Sequence, residues 1–215
     1  MLISEAKSLP KIKICGMKHP ANITAVAEQA IDFMGFIFYE KSPRYIGHLP
    51  EQSLANLPSQ LKKVGVFVNQ PISFVREQIA RYRLDLVQLH GEESPQYCKQ
   101  ITDLPLIKAF AVSETFDFEQ LNQYEGHISY FLFDTKGKHK GGNGQTFDWQ
   151  LLSAYHAQTP FFLSGGLALN HAEQLATLQH PQLYGLDLNS KFEIEAGLKD
   201  VTLVGEFVRK LHNRT

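Results

Sequence analysis

Residues 11–17 read KIKICGM, and these seven letters decide between two folds. Ile12 and Ile14 give Lys11 to Cys15 the character of a short strand, and the chain turns at once at Gly16. An open nucleotide-binding sheet normally carries a GxGxxG turn after its first strand, but here Cys15, Gly16 and Met17 hold that place. A closed barrel needs no such turn, provided that the strand is one of a series.

The series is present. Seven more short apolar runs follow: FMGFIFY from Phe33, KVGVFVN from Lys63, LDLVQLHG from Leu84, LPLIKAFAV from Leu104, YFLFDT from Tyr130, PFFLSGG from Pro160 and LYGLDLNS from Leu183. Most are nearly continuous in apolar character, as expected of parallel strands covered by helices on one face and by core side chains on the other. Between them, NITAVAEQA from Asn22, ISFVREQIARY from Ile72 and LNHAEQLATL from Leu169 space apolar residues by three and four, the period of a helix. Pro71 and Pro95 stand where first helical turns begin. Eight strand–helix alternations without a linker or composition change predict an α/β fold, a single-domain (βα)8 TIM barrel over 1–215, with 1–10 as a polar lead-in.

Composition narrows the function. Lys plus Arg total 21 against 22 Asp plus Glu, so no broad basic surface awaits nucleic acid. Cys15 and Cys98 form no CxxC pair and lack histidines at ligand spacing, which predicts neither a disulfide framework nor a zinc site and points to a reducing compartment. The lead-in carries Glu5 and Lys7 rather than the apolar stretch of a secretory signal, and no apolar run nears the ~20 residues of a membrane span. A cytoplasmic enzyme without membrane or nucleic-acid partners is expected.

In a barrel of this kind the strand ends leading into the helices line one mouth, where function resides. Those positions supply Cys15, Arg44, Gln88, His90, Asp134, Gly165, Gly166 and Asp187 to Ser190. Alone, Cys15 also suits a small buried residue, Asp134 a turn cap, and Arg44 a solvated charge or a carboxylate-binding fork. Gln88 and His90 share one strand face, as core or as ligand contacts. Taken together, a thiol and a carboxyl in one mouth offer a base and an acid. Ser164-Gly165-Gly166 and Asn189-Ser190 occupy the place where barrels commonly hold phosphate. Gly142 and Gly144, in KGKHKGGNGQTFDW, read as a cover whose amides meet an anion. Phe116 and Phe118 are open to core or interface.

KICGM, GFIFYEKSPRYI, VGVFVN, VQLHGEE, LFDTK with GGNGQTFDW, and LSGGL, in this order, resemble the phosphoribosylanthranilate isomerases of tryptophan biosynthesis over nearly the whole chain. The resemblance implies an Amadori rearrangement of a phosphorylated aminoaldose to an aminoketose, without metal or cofactor, by a monomer or homodimer. It makes Cys15 the general base and Asp134 the general acid, gives Arg44 the anthranilate carboxylate, and gives the loops after strands seven and eight the phosphate. Where the family often reads DVSSGVE, this chain has Asp187-Leu188-Asn189-Ser190-Lys191-Phe192-Glu193, so Lys191 replaces a glycine and is expected to bring an ammonium near the phosphate. Indole-glycerol-phosphate synthase would need a catalytic lysine and a longer N-terminus, and the histidine-pathway aminoaldose isomerase an aspartate in place of Cys15. A non-catalytic phosphate-binding module would have no use for the Cys15 and Asp134 pair.

Overall fold

A computed structural model describes residues 9–135 and 149–212. Its strands are β1 (Lys11–Cys15), β2 (Phe33–Ile37), β3 (Lys62–Phe67), β4 (Leu86–Leu89), β5 (Leu106–Val112), β6 (Tyr130–Thr135), β7 (Phe161–Ser164) and β8 (Leu183–Leu188). All eight runs read from the sequence are strands. Each pairs in parallel with the next, and β8 returns to β1 in the register Lys13↔Asp187, closing the ring.

Strand alternation divides the side chains between two cores. Phe33, Val64, Leu86, Ile107, Leu132 and Phe162 fill the barrel interior. Their neighbours Ile12, Ile14, Met34, Phe36, Phe131 and Phe133 join the larger cluster between the sheet and its covering elements. The parity carries upward: Cys15 follows Lys13 on the inner face of β1, Gln88 follows Leu86 on β4, and Asp134 follows Leu132 on β6. Two residues beyond the inner hydrophobic layer therefore lies a layer of functional groups at the mouth.

The helices are α1 (Pro20–Ala27), α2 (Gln52–Ala55), α3 (Ile72–Tyr82), α4 (Pro95–Cys98), α5 (Ala172–Thr177) and α6 (Val201–His212). Pro95 opens α4 behind a Ser94 cap that accepts from Tyr97 N–H, while Pro71 immediately precedes α3. Two helical segments expected from the alternation are instead 3-10 turns, Phe118–Tyr124 after β5 and Trp149–Ala154 after β6. At the entry to the first, Phe116 and Phe118 stand two residues apart, a spacing that suits no α-helical face. Phe116 packs against Phe110 and Phe118 against Phe133, with ring centroids 6.0 and 5.6 Å apart, so both, half-buried, pack against the core.

A short hairpin follows β8. Its strands β9 (Glu193–Glu195) and β10 (Leu198–Lys199) lead into α6, and Asn22 of α1 exchanges two hydrogen bonds with the Lys199 backbone. Among the described residues no helix is long and apolar enough to cross a membrane.

Candidate active site

A cavity of about 270 Å³ opens at the C-terminal ends of the strands. Cys15, Gln88, His90 and Asp134 line it, with Gly165 and Gly166 after β7 and Asp187, Asn189 and Ser190 at the end of β8. Nine of the positions singled out in the sequence thus share one space. Gly142 and Gly144 lie outside the described residues. Val66 and Ile37 supply apolar wall, and Ser164 completes the rim of β7.

On β4, Gln88 Nε2 lies 2.8 Å from His90 Nδ1. With the amide donating, Nδ1 accepts and the imidazole proton sits on Nε2, which is 3.7 Å from Asp134 Oδ2. The wholly buried Gln88 has no hydrogen-bond partner for its Oε1 among the described residues. Beneath His90, Lys108 Nζ donates to Gly91 O at 2.7 Å and to Glu93 Oε2 at 3.1 Å, tying down the turn after β4.

Cys15 is 3% exposed. Burial pushes its thiol up from the ordinary range; Lys13 acts against that, Asp187 adds to it, and Lys199 opposes it. Lys13 donates to Asp187 Oδ1 at 2.7 Å across the β1–β8 junction. Burial disfavours its charge, but Asp187 and Cys15 outweigh the loss and keep it an ammonium. Sequence reasoning passed over Lys13, although its parity with Cys15 on a five-residue strand was the available signal.

Arg44 and Lys191 are not among the cavity-lining residues. Arg44 runs behind Gly16, where an added Cβ would meet Arg44 Cδ at 2.7 Å and Asn189 Oδ1 at 3.0 Å. Its Nε and Nη2 donate to Glu193 at 2.6 to 3.0 Å. Glu193 also accepts from Lys199 Nζ at 2.7 Å and Gly197 N at 3.0 Å, and Lys199 reaches Asn189 Oδ1 at 2.8 Å. Burial alone would raise the Glu193 carboxyl, yet the hydrogen bonds from Arg44 and Lys199 bring it down to about 2. This network fixes Asn189 at the mouth. Neither Glu193 nor Lys199 was singled out from the sequence, because nothing local connects them to Arg44.

The glycine turn after β7 has φ of 101° at Gly165 and 66° at Gly166, a backbone that other residues adopt only with strain. At Gly166 the space that a Cβ would take is open, just before the next helical turn. Lys191 is exposed, and its charge helps burial to hold His171 below the usual histidine range. Its ammonium is therefore felt at the 3-10 turn Leu169–His171 that follows those glycines.

Fold and site together define a (βα)8-barrel enzyme of the acid–base type, with a thiol and a carboxyl facing one cavity and a glycine turn at its edge. Residues 12–210 match the sequence model of N-(5'-phosphoribosyl)anthranilate (PRA) isomerase. The isomerase of that name from Parabacteroides distasonis is 47% identical over 204 residues, covering 93% of this chain and 92% of its own. The crystal structure of phosphoribosyl anthranilate isomerase from Thermotoga maritima superposes with a TM-score of 0.82 at 32% identity, covering 94% of this chain and 98% of its own. Another such isomerase, crystallised with reduced 1-(o-carboxyphenylamino)-1-deoxyribulose 5-phosphate, gives 0.80 at 29% identity over 94% of this chain and 98% of its own. The chain belongs to the phosphoribosylanthranilate isomerase family.

Proposed function

We propose that this chain converts N-(5'-phosphoribosyl)anthranilate to 1-(2-carboxyphenylamino)-1-deoxyribulose 5-phosphate, the isomerisation of tryptophan biosynthesis, with Asp134 as general acid and Cys15 as general base. One observation carries the residue assignment: the two groups, 119 positions apart in sequence, line a single cavity. The substrate assignment draws on the family and on the relative crystallised with the reduced product.

The chemistry follows from that pair. Asp134, as the carboxylic acid, protonates the furanose ring oxygen; the ring C–O bond opens and the anilino nitrogen supplies the electrons for a protonated imine. Cys15, as thiolate, takes the C2 proton, and the C2–H electrons move toward the iminium nitrogen to give an enolamine. Protonation at C1 and loss of the C2 hydroxyl proton yield the aminoketose and restore both side chains. The iminium nitrogen serves as the electron sink.

Around the reacting atoms, Gln88, His90 and Asp187 bind the sugar. Arg44, oriented by Glu193, meets the anthranilate carboxylate. Gly165, Gly166, Asn189 and Ser190 take the phosphate, assisted by the Lys191 ammonium, and Gly142 and Gly144 cover it. The enzyme works as one domain over 1–215, in the cytoplasm, as a monomer or homodimer. The purified protein mixed with freshly formed N-(5'-phosphoribosyl)anthranilate should quench the fluorescence of the anthranilate group in a single catalysed phase, and the gene should rescue a tryptophan auxotroph lacking this step. Unchanged fluorescence together with failed rescue would overturn the assignment.

A further inference from the structure

Lys13 is wholly buried on the inner face of β1, and the reaction as written gives it no task. An ammonium with no access to water needs anionic partners. Asp187 Oδ1 lies 2.7 Å away on the paired strand and supplies that charge, while the Cys15 side chain stands two residues along the same strand face and acts on the ammonium electrostatically. The approach depends on a bare neighbouring strand: a Cβ at Gly35 of β2 would stand 2.8 Å from Cys15 Sγ and 3.2 Å from Lys13 Nζ. The other charges that act on the sulfur are Lys199 from β10 and Arg44 from beside Gly16.

One buried cation thus faces two acids, a carboxylate and a thiol. We propose that Lys13 is a positioning residue for the isomerisation, a counter-ion shared between Asp187 and Cys15 that holds the sulfur as thiolate during turnover, with Asp187 setting how much of that charge the sulfur receives. The proposal rests on the reading of Cys15 as the base. Before substrate enters, Asp187 takes the larger share of the ammonium, because its hydrogen bond is short, and burial favours the protonated thiol. Ring opening places a cationic iminium in the same cavity. A second positive charge then joins Lys13 in stabilising the anionic sulfur when the C2 proton must be removed.

An ion pair that merely joined β1 to β8 would leave no opposed signature on the thiol; a shared counter-ion would. The test is the pH dependence of Cys15 alkylation by iodoacetamide, read by peptide mass spectrometry so that Cys98 is scored separately, in the unsubstituted protein, D187N and K13M. Asp187→Asn frees the ammonium for the sulfur and should lower the midpoint by about one pH unit, or about tenfold in rate at fixed pH below it. Lys13→Met should raise the midpoint by a similar amount, and the acid limb of the kcat profile should move in the same sense in each folded variant. Midpoints that stay with the unsubstituted protein, or that move in one direction in both variants, overturn the proposal. Should K13M not fold, D187N decides alone: a lowered midpoint supports the shared counter-ion, and an unmoved or raised one refutes it. The alkylation readout needs no turnover, so full activity in a Cys15→Ala variant would defeat the base assignment separately.

Discussion

Glu193→Gln is the substitution whose consequence the structure specifies most fully. Glu193 accepts from Arg44, Lys199 and the Gly197 amide, and its side chain is 5% exposed. Glutamine keeps the shape but loses the charge, leaving Arg44 and the buried Lys199 facing a neutral amide. A carboxyl lowered from 4.5 to about 2 by the fold contributes about 3 kcal/mol at neutral pH. Removing one member of a buried ion pair costs about 3–5 kcal/mol, so the two routes agree. For a chain of this length the Tm should fall by roughly 6–12 °C. Because folding lowers this pKa, the stability is fully present above the unfolded value of about 4.5 and is lost as the pH falls toward about 2. Urea unfolding followed by far-UV circular dichroism, in steps from neutral pH downward, should show the gap between parent and variant closing across that window. Equal stabilities at neutral pH, or a gap that persists under acid, would refute the reasoning.

Two other substitutions probe the mouth. Gly35→Ala places a methyl group 2.8 Å from Cys15 Sγ, closer than packing allows, and should lower kcat at least about tenfold while costing about 1–3 kcal/mol of stability, measured by steady-state kinetics and thermal melts. Gly166→Ala, at φ 66° but with open space around the new methyl, should cost about 1 kcal/mol through backbone strain and raise KM for the phosphorylated substrate more than it lowers kcat.

The barrel was legible because parallel strands buried on both faces write themselves as short apolar runs, and all eight runs are strands. The mouth was legible for a related reason: once a strand's end and parity are known, its inward polar residue is known, which is how Cys15, Gln88 and Asp134 emerge. Parity also assigns Lys13 to the inner face, but only the closing register of β1 on β8 brings Asp187 to it, and that pairing spans 174 residues. Arg44 illustrates the limit differently. Its fork is held by Glu193, 149 residues away in a hairpin whose placement depends on α1 and α6 rather than on any local pattern, so the partner that orients it could not be read from the sequence. The 3-10 turn after β5 escaped because the strand–helix alternation alone predicts a helix there, whereas Phe116 and Phe118 pack onto the strand residues Phe110 and Phe133.

The central claim is that a carboxylic acid and a thiolate divide the two proton transfers. It is tested most directly by kcat/KM for loss of anthranilate fluorescence in Cys15→Ser and Asp134→Asn, each checked for an intact fold by circular dichroism. The account predicts a fall of at least about 10²-fold in each, the range expected when a general acid or base is removed. Turnover close to that of the unsubstituted protein in either variant would contradict it.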